Sequence, residues 1–140
     1  IALLKQAKEL GMNAPILGNV DFVFDFLQKD ENAQGAIFAA PAYSFGEYTS
    51  LSSEFIQKFN EKYKKKPAWD EAIVHDSIRI LAKSLADAPS FKTSEVINAL
   101  LKIKDFEGVT GKITIDKSGD GIMPIGIATL KDNAVVKLGE

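Results

Sequence analysis

Apolar residues recur along this chain with two different periods, and each change of period marks a change of element. At the start, Leu3, Leu4, Ala7 and Leu10 fall on one face at helical spacing, and Gly11 ends the run. Residues 14–17 then read as a short strand closed by Gly18, residues 22–28 as a helical or irregular segment, and residues 35–40 as a second strand stopped by Pro41. Helix, strand, helix, strand is the pattern of a parallel α/β sheet with crossover helices, and ligands bind at the strand ends of such sheets.

A polar and aromatic connection at residues 42–49 follows, and the helical period then returns. Residues 51–65 place Phe55, Phe59 and Tyr63 on one face, with Ser50 as the expected N-cap. After Pro67 a longer helix over residues 70–86 is expected to turn Ile73, Ile78, Leu81 and Leu85 inward, with Asp70 and Glu71 complementing the dipole of its first turn. A shorter helix spans residues 94–101. Alternation over residues 112–116, a polar glycine-containing turn at 117–121 and renewed alternation over 122–130 then predict strand, turn, strand. The same stretch has a second reading. Asp116, Ser118, Asp120 and Gly121 match the first, third, fifth and sixth places of an EF-hand calcium loop, but the twelfth place, which needs a bidentate acid, is Ile127. The strand–turn–strand reading is therefore preferred.

Composition narrows the chemistry. The 140 residues carry a net charge of −2, and the densest basic run, at residues 62–66, lies at a helix end where it complements the dipole. Nucleic-acid binding is not indicated. Sixteen lysines stand against one arginine, Arg79, so a bidentate clamp on a carboxylate could come only from there. Without cysteine there is no disulfide or thiol chemistry, and no apolar run approaches the ~18 residues of a membrane-spanning helix. The first residues lack the basic and apolar regions of a secretory leader and read as a helix entered without a cap, as if the chain began inside a larger fold. No nucleophile elbow or P-loop is present. Gly119 and Gly121 begin a dinucleotide fingerprint, but Pro124 occupies the third glycine's place. The single histidine, His75, precedes Asp76 on a helix, where adjacent side chains diverge by about 100°. No catalytic constellation, metal site or cofactor is indicated.

Four segments together resemble type I periplasmic binding proteins of the leucine/isoleucine/valine class, the substrate-binding components of branched-chain amino-acid ABC transporters. GMNAPILGNVDF is similar to their strand and ligand-facing loop, and AQGAIFAAPAY to a strand ending in proline where the chain crosses between lobes. AIVHDSIRILAKSL resembles a helix that usually carries tyrosine and aspartate, here His75 and Asp76, and FEGVTGKITIDKSGD is similar to their closing F-x-G-hydrophobic-T/S-G segment. The resemblance implies the C-terminal part of a two-lobe α/β fold, with Rossmann-like lobes built from parallel sheets flanked by helices. Residues 1–41 would belong to the C-terminal lobe, 42–123 to the N-terminal lobe, and 124–140 to the C-terminal lobe again. The N-terminal half, which supplies most of the groups holding an amino acid's α-carboxylate, would then lie outside these residues. These residues alone would accordingly bind ligand poorly.

The function so implied is capture of a small organic ligand, an amino acid or an aromatic or aliphatic carboxylate, by closure of two lobes, and its delivery to a membrane ABC permease. The protein would be periplasmic, or an extracytoplasmic lipoprotein. A ligand-sensing domain of a receptor or regulator is the alternative. Asn19 and Asp21 align with the loop that pairs with the ligand's ammonium, although both residue types also form ordinary turns. By the same resemblance Trp69 and Asp70 lie near the position where the family places a side chain against the ligand's apolar end, or they serve the helix entrance by packing and charge. Tyr43, with Phe45 beside it, follows the crossing at Pro41, where it either lines the cleft or anchors the hinge.

Overall fold

The computed structural model describes residues 2–46 and 48–139. In chain order the elements are α1 (Ala2–Glu9), β1 (Leu17–Gly18), a 3-10 turn (Val20–Val23), α2 (Asp25–Gln28), β2 (Ile37–Pro41), a 3-10 turn (Ala42–Phe45), α3 (Ser50–Tyr63), α4 (Trp69–Asp87), α5 (Thr93–Leu100), β3 (Phe106–Gly108), β4 (Gly111–Ile115), β5 (Gly121–Ile122), β6 (Ile125–Lys131) and β7 (Ala134–Lys137). They form two compact units, Ile1–Gly46 with Ile125–Glu140, and Glu47–Pro124.

The first unit is built on a four-stranded sheet in the order β1-β2-β6-β7. Only β1 and β2 pair in parallel; β6 lies antiparallel to β2, with Pro41 opposite Ile125, and β7 lies antiparallel to β6. The parallel arrangement expected from the first forty residues thus holds for one pair. β7 was not foreseen, yet the Asp132–Asn133 pair before it has positive φ at both residues, as a two-residue hairpin turn needs. On one face of the sheet Phe38, Ala40, Ala128 and Leu130 are buried, and Phe22 stacks on Phe38 with ring centroids 5.4 Å apart. On the other face Ile125 and Ile127 stay exposed. Helix α1 fully buries none of its residues: of the stripe read from Leu3 to Leu10, Leu4 and Ala7 are half-buried and Leu3 and Leu10 are exposed.

The second unit packs α4 and α5 over a three-stranded sheet, β3-β4-β5. Its core gathers Ile80 of α4 with Ile103, Ile113 and Ile115. Helix α3 starts one residue earlier than expected. Thr49, not Ser50, is the N-cap, and it forms a reciprocal box with Ser52, each accepting from the other's backbone N–H. Of the residues expected on the inward face of α4, Ile73 packs against this core, but the other three do not. Ala72, Asp76, Ile80 and Ser84 are buried, whereas Ile78, Leu81 and Leu85 are 63%, 52% and 37% exposed. Small residues on the buried side let the helix approach the sheet closely, which a leucine stripe would prevent. The single strand expected at 122–130 is split: β5 pairs with β4, β6 pairs with β2, and Pro124, which has no N–H to donate to a ladder, lies between them.

One side chain ties this unit together. Asp76 is fully buried, and its carboxylate accepts from Val109 N (2.8 Å), Thr110 N (2.8 Å) and Thr110 Oγ1 (2.7 Å). Ser52 of α3 reaches the same turn, donating to the Val109 carbonyl at 2.6 Å. Two helices thereby hold both polar groups of one residue in the β3–β4 turn. Gly108 is required beside them, since a Cβ there would lie 2.5 Å from Asp76 Oδ2. At the next turn Asp116 Oδ1 accepts from the backbone of Ser118 and Asp120, so this acid shapes a turn. Replacing Asp76 with alanine strands three buried donors, and the expected loss is about 3–5 kcal/mol. Urea unfolding with an unchanged m-value would measure it, and a loss below about 1 kcal/mol would show that the turn holds itself.

Candidate functional site

The residues expected to meet a ligand divide between the two units: Asn19, Asp21 and Tyr43 lie in the first, Trp69 and Asp70 in the second. In the first unit the chain leaves β1 at Gly18 and turns at once. The ring of Phe22 packs where a Cβ on Gly18 would sit, which holds the turn close to the strand end. Asn19 caps the 3-10 turn: its Oδ1 accepts from Asp21 N at 3.2 Å and its Nδ2 donates to Asp21 Oδ2 at 3.1 Å. The two candidates therefore form one unit, with the amide orienting an exposed carboxylate at the C-terminal end of β1. Such a carboxylate can accept a charge-assisted hydrogen bond from an ammonium group.

Tyr43 lies on the 3-10 turn after Pro41 and is 2% exposed. Its neighbour Phe45 packs against Gly126, where a Cβ would come within 2.9 Å of the ring, and Lys137 Nζ lies 5.9 Å from the ring centroid. In the second unit Trp69 is the first residue of α4, half-buried, with its indole N–H enclosed and without a hydrogen-bond partner. Asp70 beside it is exposed and stands at the edge of a groove between α3 and α4.

The entrance to α4 is fixed by Glu71. Its carboxylate accepts from Ala68 N and from Lys65 Nζ, both at 2.6 Å. Partial desolvation pushes the Glu71 carboxyl upward, but hydrogen bonds from Lys65 and Ala68 outweigh it and hold the group below the ordinary glutamate value. The sequence signal was the A-x-x-E spacing after Pro67.

The arginine foreseen as a possible clamp is already engaged. Arg79 donates to the Glu107 carbonyl at 3.2 Å and lies over the Phe106 ring, 5.0 Å from its centroid. His75 packs against Phe55 with ring centroids 4.8 Å apart and planes tilted by 41°, and its Nδ1 lies 3.6 Å from Asp76 Oδ1, closer than their divergent directions on the helix suggested. That nitrogen makes no hydrogen bond among the described residues, and the imidazole packs on an aromatic ring instead. No cluster of three or more His, Cys, Asp or Glu that could hold a metal occurs among the described residues.

A family model described as periplasmic binding protein matches residues 1–134. The chain belongs to this family of solute-binding proteins. Among solved structures it is similar to the leucine-binding protein LivK of Thermotoga maritima MSB8, at 25% identity and a TM-score of 0.84 over 98% of this chain and 40% of that one. It is also similar to LivJ of Streptococcus pneumoniae, a branched-chain amino-acid transporter substrate-binding protein solved with isoleucine, at 26% identity and a TM-score of 0.76 over 95% of this chain and 38% of that one. A substrate-binding protein of Desulfitobacterium hafniense, solved with Leu, shares the fold at 22% identity and a TM-score of 0.79, over 98% of this chain and 39% of that one. The chain thus spans about two-fifths of the length of these relatives. No curated protein sequence matches it. No helix among the described residues is long and apolar enough to cross a membrane.

Because Glu71 is held ionised in the fold, its contribution is complete above the unfolded glutamate's range and is lost as pH falls through its own lower value. Glu71→Gln should therefore cost about 0.5–1 kcal/mol at neutral pH, a modest figure because Lys65 is largely exposed. The difference from the parent should close on acidification. Urea midpoints of both proteins between pH 7 and pH 3 would check this, and a constant gap would remove the ionised form from the explanation.

Proposed function

We propose that these residues serve in the solute-binding component of an ABC importer, which captures an amino acid or a related small carboxylate between two closing lobes outside the cytoplasm. The observation that carries this reading is the exposed Asp21 carboxylate, oriented by Asn19 at the C-terminal end of β1, in a chain of this family. The first unit is read as part of the C-terminal lobe and the second as part of the N-terminal lobe. Support for the ligand class comes from LivK and LivJ, whose names and bound isoleucine speak of branched-chain amino acids. In this reading Asp21 accepts from the ligand ammonium, and Trp69 and Asp70 stand nearer its side chain. Tyr43, buried beside the chain crossing, anchors the hinge and does not touch the ligand. Release to a membrane permease follows when the lobes reopen; membrane attachment as a lipoprotein belongs to the same reading.

The test uses the family-length protein that contains these residues. Calorimetry with branched-chain and aromatic amino acids should find a ligand, and Asp21→Asn should weaken it roughly 10- to 150-fold, the worth of one charge-assisted hydrogen bond. The deaminated ligand should bind the parent and Asp21→Asn almost equally. Undiminished affinity of Asp21→Asn for the amino acid would overturn the assignment.

A further inference from the structure

The end of α3 and the segment leading to α4 carry the densest basic run in the chain. Residues 58–66 hold five lysines against one acid, Glu61, in a chain whose net charge is −2. The dipole of α3 accounts for only about half a unit of that positive charge. Two of the lysines are taken up locally, Lys58 by Glu54 and Lys65 by Glu71, whereas Lys62, Lys64 and Lys66 make no ion pair with a described residue. Lys64 closes the helix at φ 55°, a left-handed position that glycine fills without strain, so a charged side chain stands there against the backbone preference. Aromatic rings lie beside the ammonium groups: Lys62 Nζ is 5.1 Å from the Tyr63 ring centroid, and Lys66 Nζ is 5.1 Å from that of Tyr48. Both tyrosines are themselves open to solvent, at 53% and 38%.

We infer that this corner of the second unit docks on an anionic bilayer surface. Three features favour lipid phosphates over other acidic partners. The cations are all lysine, compact point charges without the fork by which arginine fixes one carboxylate or phosphate in a set geometry, and they suit a fluid array of headgroups. Tyrosine is a side chain that settles at headgroup depth, its ring toward hydrocarbon and its hydroxyl toward water. Residues 60–66 are exposed without interruption, so a flat partner meets several lysines at once. The contact is electrostatic and superficial, and salt therefore weakens it. It stands on the second unit alone and goes beyond the ligand reading: failure of the ligand assay would leave it untouched.

Vesicle flotation of the family-length protein, in a form without acyl chains so that only its surface can hold it, tests the inference. It should bind phosphatidylcholine vesicles that contain about 30% phosphatidylglycerol and not vesicles of phosphatidylcholine alone, and the affinity should fall at least roughly 10-fold between about 50 mM and about 500 mM sodium chloride. Lys64→Gln combined with Lys66→Gln should weaken binding roughly 25-fold, since each lysine near such a surface is worth roughly 5-fold. Lys102→Gln combined with Lys117→Gln removes the same charge from exposed positions elsewhere on the unit and should change binding by about 2-fold or less. If circular dichroism shows the first pair misfolded, the salt dependence of the parent carries the test. Equal losses from the two pairs would reduce the effect to net charge and overturn the inference. So would a parent that ignores the anionic vesicles or binds them independently of salt. Binding that appears only when the vesicles carry the permease would assign the corner to a protein partner and equally overturn it.

Discussion

The carboxylate of Asp76 is the constraint on which the second unit depends. A charge with no exposed surface is tolerated only where donors surround it, and here three donors come from two consecutive residues of the β3–β4 turn. The same turn is grasped from α3 by Ser52. Residues 33, 34 and 57 positions apart in the chain are thus fixed to one another through a single peptide segment. The register of β3 against β4, the approach of α4 to the sheet and the need for glycine at position 108 follow from this arrangement.

The clasp also gives a physical meaning to two of the segments by which the family resemblance was drawn. The helix segment around Asp76 and the segment FEGVTG lie far apart in sequence but are the two halves of one hydrogen-bonded device. Thr110 contributes through both its N–H and its hydroxyl, so threonine or serine at that place is a hydrogen-bonding requirement. In the first unit the division of labour is different. Gly18 lets Phe22 close over the strand end, Asn19 caps the turn, and the Asp21 carboxylate is left facing solvent. The first arrangement consumes its carboxylate in folding, while the second leaves its carboxylate available.

Much of this was legible in the sequence, because strongly periodic segments and punctuating residues dominate it. The helices at 50–63, 69–87 and 93–100 came from their periods, and Pro41 marked the end of β2. What was not legible depended on tertiary partners. The leucine stripe of α4 reads as an inward face, but Ala72, Asp76 and Ser84 are the residues that meet the sheet, since close packing and a buried carboxylate decide the orientation. Alternation over 122–130 could not reveal that the strand changes sheets at Pro124. For the candidate site, the residue types of the Asn19–Asp21 loop were visible, but the amide-to-carboxylate bond that orients Asp21 required the 3-10 turn to be seen.

Amide hydrogen exchange at Val109 and Thr110, read by nuclear magnetic resonance on the unaltered protein, tests the central role of the Asp76 clasp most directly. If the carboxylate holds the turn, both amides exchange as slowly as those of Ile113 and Ile115 in the core strand, through unfolding of the whole unit. Exchange at the rapid rates of a surface turn, while the core strand remains protected, would contradict it.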